Sequence, residues 1–221
     1  MTPWDPGRVD DLVHRLERFR ATCRPTTLAE VEHATRSPFH LLVSCVISLR
    51  TKDEVTATSS ARLFALVRTP ADLARLPEDQ IAAAIYPAGF YRTKATQLRR
   101  ISELLVTQHR GAVPLSLEEL LELPGVGRKT ANLVLGLGFG IPAICVDTHV
   151  HRISNRLGMV STATPERTEA ALRALLPRRY WIPVNDLLVT FGQQRCHPTS
   201  PRCTGCPLDD LCPRHGVTRH R

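Results

Sequence analysis

An amine and a carboxylate, Lys129 and Asp147, are the side chains here best suited to covalent chemistry. Both lie in the stretch LLELPGVGRKTANLVLGLGFGIPAICVDTHVHR, residues 120–152. Of the 29 Lys and Arg residues only three are lysine: Lys52, Lys94 and Lys129. Arginine therefore serves nearly always where a plain positive charge is wanted. Arginine is effectively never deprotonated and cannot be an amine nucleophile, whereas a lysine can once its proton is lost. A lysine beside a glycine-rich turn thus points to a required amine. Asp147 stands before an apolar stripe of Val146, Val150, Ile153 and Leu157. A carboxylate there serves equally well as a helix N-cap, accepting backbone N–H bonds, or as a reacting group.

Cysteine supplies the second constellation. Cys196, Cys203, Cys206 and Cys212 are spaced C-x6-C-x2-C-x5-C in a proline-rich loop. Four thiolates this close could hold a metal with no further ligand. Zinc is one occupant, although structural zinc sites more often use two short Cys pairs across a longer span. Free thiols without any ion are the other alternative. Cys23, Cys45 and Cys145 lack ligand spacing, and Cys45 sits in an apolar run as a core residue.

These groups need elements to position them. Ser116 and Glu119 have capping-box spacing, which predicts a short helix ending at Leu123. Pro124-Gly125-Val126-Gly127 predicts a tight hairpin, its two glycines allowing backbone that a Cβ would block. Arg128 to Leu137 then predicts a second helix with Ala131, Val134 and Leu135 as its apolar stripe. The glycine amides and that helix N-terminus form an anion site suited to a phosphate, with Gly125, Val126, Gly127 and Arg128 as contacts. An ordinary turn between two core helices would account for either glycine alone, but not for the whole pattern.

The rest of the chain also reads as helices. Residues 5–20 place Val9, Leu12, Val13, Leu16 and Phe19 on one face. A polar linker over 22–36 follows, then a buried helix from Ser37-Pro38. Thr51 and Glu54 have capping-box spacing and open a helix through Val67. Further helices are expected over 69–76, 77–86, 93–109, 164–176 and 184–194. Neither a strand pattern nor a convincing repeat interrupts them.

A length of 221 residues suits one or two domains, and a net charge of +8 suggests a polyanionic partner. The N-terminus has no apolar run long enough for a signal peptide, and no stretch reads as a membrane span. Seven cysteines in such a chain point to metal or catalysis before disulfides, and so to the cytoplasm.

LPGVGRKTAN followed by VDTH closely resembles the helix–hairpin–helix and Asp signature of the endonuclease III family of DNA glycosylases. The cysteine spacing resembles that family's [4Fe–4S] loop. The resemblance implies an all-α fold of two lobes. A six-helix barrel would cover 31–141, and a discontinuous iron–sulfur lobe would join 1–30 to 142–221, with DNA in the cleft between them. It implies a bifunctional DNA glycosylase/AP lyase of base excision repair, acting as a monomer on double-stranded DNA with damaged bases or abasic sites. Lys129 would attack C1′ of a flipped nucleotide, Asp147 would assist, and oxidised pyrimidines would be released. The strand would then be nicked 3′ to the site by β-elimination. Cys196, Cys203, Cys206 and Cys212 would hold a structural [4Fe–4S] cluster. No divalent ion or membrane would be involved, and a bacterial or archaeal nucleoid is the expected setting.

By the same resemblance, Phe90 in PAGFY is an apolar wedge beside the extruded base. Arg50 in ISLRTKD stands where the family usually has Gln, at the place where the opposite strand is read. Its guanidinium suits the O6 and N7 acceptors of guanine. Arg202 is the clear cation in HPTSPR, where the family usually carries several that touch phosphates. Phosphate contact there is weaker, or is shared with Arg195, Arg214 and the basic tail.

Two other readings stand beside this one. A mismatch-directed glycosylase of the same superfamily is the nearer, but adenine-removing members usually carry an extra C-terminal domain and thymine-mismatch members usually lack the lysine. A non-catalytic DNA-binding module would use the hairpin as a clamp and the cluster as a scaffold, and the pairing of Lys129 with Asp147 argues against it.

Overall fold

The computed structural model of the chain describes residues 4–23 and 37–221, and every regular element among them is helical. The linker expected over 22–36 lies, from residue 24 onward, outside the described residues. No described helix is long and apolar enough to cross a membrane. The chain divides into two compact units, Thr26–Ile141 and a discontinuous unit of Met1–Pro25 with Pro142–Arg221.

Helix α1 (Pro6–Ala21) opens the discontinuous unit, with Pro6 in its first turn and the Asp5 carboxylate accepting the Arg8 amide at 2.9 Å. Proline loses nothing there, because a first-turn amide has no helical partner to lose.

In the continuous unit, α2 (Pro38–Ser48) is capped by Ser37 and buries Phe39, Leu41, Leu42, Val43, Cys45, Val46 and Ile47. Being apolar on all sides, it has no face for water and becomes the centre of the unit. Helices α3 (Asp53–Leu66), α4 (Pro70–Arg75), α5 (Glu78–Ile85) and α6 (Tyr91–Gln108) follow. Helix α4 opens with a full capping box of Thr69 and Asp72. The box expected of Thr51 and Glu54 does not form: α3 starts after Lys52 with no side-chain cap. The Thr51 hydroxyl is instead engaged by Lys94 and by the Gly89 amide, partners far along the chain that local spacing does not reveal.

The hairpin forms between α7 (Leu117–Glu122) and α8 (Arg128–Leu133). Ser116 Oγ accepts the Glu119 amide at 3.2 Å and donates to the Glu119 carboxylate at 2.7 Å. The helix expected to run on to Leu137 turns π-helical over Val134–Gly138. Gly136 and Gly138 lie in this stretch, and after proline glycine is the residue that least favours a regular helix. The two hairpin glycines also differ. Gly125 has φ +78°, and a Cβ there would stand 2.8 Å from the Gln97 amide. Gly127 is extended (φ −97°, ψ 175°), and a Cβ there would meet nothing within 4 Å. Only Gly125 is therefore demanded by the turn.

The discontinuous unit continues with α9 (Thr148–Arg156), α10 (Pro165–Leu175), a 3-10 turn (Arg178–Tyr180) that periodicity did not signal, and α11 (Pro183–Gln194). The apolar face of α1 meets Val150, Ile153, Leu172, Leu188 and Phe191 in one core that Leu208 of the cysteine loop completes. Phe19 packs edge-on against Phe191 with ring centroids 5.1 Å apart. Arg15 ties α1 to Asp210 at 2.6 Å, and Arg20 ties it to Asp186 at 2.6 Å. This docking explains why the first helix belongs with the C-terminal residues.

Substitution at the two hairpin glycines should separate their roles. Gly125→Ala forces a left-handed Ala against Gln97 and should cost at least ~1–2 kcal/mol in a urea titration. Gly127→Ala should cost less than about 1 kcal/mol. Equal losses would contradict this assignment of the turn.

Candidate functional site

Lys129 lies in the first turn of α8 and is exposed, as are Gly125, Gly127 and Arg128. Leu120 and Leu123, which lead into the turn, are both buried. Val126, expected among the contact residues, points its side chain into the core, and its amide donates to Leu123 O at 3.1 Å. Its role is to anchor the turn, so the outward groups are Gly125, Gly127 and the start of α8. Gly127 is the N-cap of α8 and supplies no side-chain acceptor. The space above Gly127 is open, so an external anion can approach the backbone there without meeting a Cβ. Burial pushes the Cys45 thiol up to about 12, and the positive charge of Lys129 pulls the other way. The thiol stays neutral and is a core group.

Asp147 belongs to the other unit and caps α9. Its Oδ1 accepts the amides of His149 and Val150, each at 2.8 Å. No hydrogen bond to Oδ2 is found among the described residues. The carboxylate is half-buried, so one oxygen fixes its orientation while the other remains available. The two histidines that follow turn inward. His151 Nδ1 lies 2.7 Å from Thr168 Oγ1. The His149 ring lies so close to Gly192 of α11 that a Cβ there would strike Nδ1. Arg152, one turn on, reaches His149 Nδ1 at 3.0 Å and donates to Cys196 O at 2.8 Å.

Cys196, Cys203, Cys206 and Cys212 line a single cavity, walled by Ile153, Leu157, Phe191 and Leu208 and rimmed by arginines. Arg156 organises the entry to the loop. It donates to Cys196 Sγ at 3.4 Å, His197 O at 2.7 Å and Pro198 O at 2.7 Å. Burial pushes the Cys206 and Cys212 thiols up, opposed at Cys206 by the Leu208 amide and Arg195, and at Cys212 by the Arg214 amide. Among the described residues no three His, Cys, Asp or Glu groups gather closely enough to share one ion. Arg202 is exposed at the rim of this cavity.

Arg50 and Phe90 come from different loops of the continuous unit, yet the Arg50 guanidinium lies 5.5 Å from the centroid of the Phe90 ring. Both residues are left-handed (φ 52° and 57°), and Phe90 is 61% exposed. Non-glycine residues rarely hold that backbone unless their surroundings enforce it. Lys94, whose ammonium bonds the same Thr51 hydroxyl that accepts the Gly89 amide between these loops, was not singled out from the sequence. Its signal was there: it is one of only three lysines in an arginine-rich chain.

Comparison with known proteins places this geometry. Residues 43–178 match the model of the HhH-GPD superfamily base excision DNA repair proteins. Endonuclease III of Thermotoga maritima is 52% identical over 180 residues, which make 81% of this chain and 84% of that protein. Endonuclease III homolog 1, chloroplastic, of Arabidopsis thaliana is 42% identical over 188 residues, 81% of this chain but only 50% of that longer protein. A solved structure described as a non-covalent endonuclease III–DNA complex superposes with a TM-score of 0.84 at 33% identity, covering 95% of this chain and 96% of that one. With its helix–hairpin–helix, its capping aspartate and its four-cysteine loop, the chain belongs to the endonuclease III family of the HhH-GPD superfamily.

Proposed function

We propose that this chain is a base excision repair DNA glycosylase with AP lyase activity, that Lys129 is its nucleophile and that oxidised or ring-saturated pyrimidines are its substrates. The observation that carries the reading is the exposed Lys129 in the first turn of an uncapped helix, beside a glycine with open space above it. The hairpin backbone at Gly125 and Gly127, with Arg128 and Arg202, takes DNA phosphates. Such contacts position the enzyme without reading sequence. Phe90 and Arg50 enter the gap left when the damaged nucleotide is extruded from double-stranded DNA.

The amine of Lys129 attacks C1′ of that nucleotide. The C1′–N bond breaks, and the base leaves with the bonding electrons and takes up a proton. The attached nitrogen then loses a proton, the C1′–O4′ bond breaks and O4′ takes up a proton, which opens the sugar ring to a Schiff base that acidifies the C2′ proton. Its removal expels the 3′ phosphate by β-elimination, and water then frees the lysine. Asp147 assists as a base or as a fixed negative charge. Its orientation is set by the two amides on Oδ1 while Oδ2 serves the reaction.

Cys196, Cys203, Cys206 and Cys212 would hold a [4Fe–4S] cluster. The four cysteines line one cavity, and four cysteines suffice for such a cluster, whereas structural zinc sites more often use two short Cys pairs across a longer span. The cluster supplies cross-linking of the loop, since glycosyl transfer to an amine moves no electrons. In this reading Thr26–Ile141 is the helix–hairpin–helix barrel, and the discontinuous unit is the cluster lobe.

Borohydride should trap a covalent protein–DNA adduct on an abasic duplex. Lys129→Gln should abolish the trapping while leaving DNA binding within a few-fold, and trapping at the normal level in that variant would move the chemistry elsewhere. Asp147→Asn keeps a competent cap, because Asn and Asp cap about equally well. Its melting temperature should therefore hold while turnover falls steeply. Undiminished turnover would reduce Asp147 to a cap.

Purified protein should be yellow-brown with about four irons per chain. Cys203→Ala should lose the colour and lower thermal stability, because ligand loss removes metal-linked folding energy. Stoichiometric zinc in a colourless protein would overturn the cluster.

A further inference from the structure

Lys94, in the first turn of α6, is buried to 4% exposure and has no carboxylate partner among the described residues. Its Nζ donates to Ile47 O at 2.7 Å, Leu49 O at 2.5 Å and Thr51 Oγ1 at 2.9 Å. An ammonium has three donors, and all three are used. The two carbonyls lie at the C-terminal end of α2, where helical partners run out and a cation is favoured. The flat fork of arginine cannot direct donors to three oxygens around one point, which accounts for a lysine in a chain that otherwise prefers arginine.

The same contacts join two loops. Thr51 Oγ1 also accepts the Gly89 amide at 3.0 Å. Gly89 lies so close to the Arg50 carbonyl that any Cβ there would collide with it. Arg50 is next to Thr51 and Phe90 is next to Gly89, so the two left-handed residues stand on a common base. Lys94 is the group that closes this base from below. Burial pushes its ammonium down to about 8.

We propose that Lys94 is a positioning residue that locks Arg50 and Phe90 into one preassembled wedge, so that the two engage DNA as a unit. The proposal rests on the reading that Arg50 and Phe90 face the duplex. Filling the gap left by an extruded nucleotide competes with the cost of unstacking. Two loops that had to be ordered on contact would add their own entropy to that cost, and a preformed pair avoids it. Preassembly also fixes where the guanidinium points, so the choice of opposite base depends on Lys94 although Lys94 itself touches no base.

The test uses single-turnover base release from one lesion opposite each of the four bases. It compares the wild-type protein with Arg50→Ala, Phe90→Ala, their double variant, Lys94→Met and Thr51→Val. Arg50→Ala should flatten the preference among the four opposite bases by up to about tenfold. Lys94→Met should flatten it similarly although both wedge residues remain. Thr51→Val removes the shared acceptor, together with the hydroxyl's own bond to Leu49 O at 3.3 Å, and should flatten it partly, while Thr51→Ser should retain it. The double variant should be little slower than the worse single one, as expected of residues that act as a unit.

A role in stability alone would lower the rates equally and leave the four-base ratio untouched. Altered rates in Arg50→Ala and Phe90→Ala with unchanged ratios in both Lys94→Met and Thr51→Val would overturn the locking role alone. Multiplying effects in the double variant would also overturn it. Wild-type rates and ratios in both Arg50→Ala and Phe90→Ala would overturn the DNA-facing reading, and the proposal with it. Should Lys94→Met fail to fold, the Thr51→Val and Thr51→Ser pair decides.

Discussion

Helix ends are the constraint on which this structure depends. Helices α4 and α7 are only six residues long, and the first four amides of any helix have no partner within it. A fold made of short helices must satisfy many such amides. Asp5, Ser37, Thr69, Ser116, Asp147 and Thr164 each do so with a side-chain oxygen, a contribution of about 1 kcal/mol apiece. The starts without a side-chain cap include Lys52, Phe90 and Gly127, and all three border segments assigned to DNA contact. Pro77 and Ile182 are uncapped too, so lacking a cap does not by itself mark a site. What distinguishes Gly127 is open space together with a neighbouring amine.

Asp147 shows how a structural device also becomes a chemical one. A cap that divided its amides between two oxygens would have neither left over. Here both amides fall on Oδ1, so the helix start orients the carboxylate without consuming it. The cysteine loop relies on a different device. Arg152 and Arg156 of α9 hold the carbonyls of residues 196–198, which fixes the loop backbone from the same helix that Asp147 starts.

Arginine and lysine divide the work by geometry. The forked guanidinium suits spread-out acceptors such as the carbonyls beneath Arg156, or the two oxygens of Asp210 beside Arg15. The compact ammonium suits a tight cup of oxygens, as at Lys94, or a reacting carbon, as proposed for Lys129. Rarity of lysine in the sequence is therefore informative at two positions, and for different reasons.

Much of the fold was legible because its signals are local. Ser37-Pro38, Thr69-Pro70, Ser116 and Thr164-Pro165 each opened a helix where their spacing predicted, and the stripe of Val9, Leu12, Val13 and Leu16 is buried as its periodicity required. Asp147 was recognisable as a cap, and the four cysteines as a set. Tertiary structure alone decided the rest. Thr51 has the same spacing to a glutamate as Ser116, yet its hydroxyl goes to Lys94 and Gly89, because contacts some 40 residues away outbid a local one. Val126 turned inward and Gly127 took an extended backbone that any residue could adopt. The pairing of Arg50 with Phe90 was likewise unreadable, since it exists only where two distant loops are brought against one buried ammonium. Capping and periodicity act within a turn or two of helix and are written in neighbouring residues. The partners of a buried polar group are chosen by the packing of the whole unit.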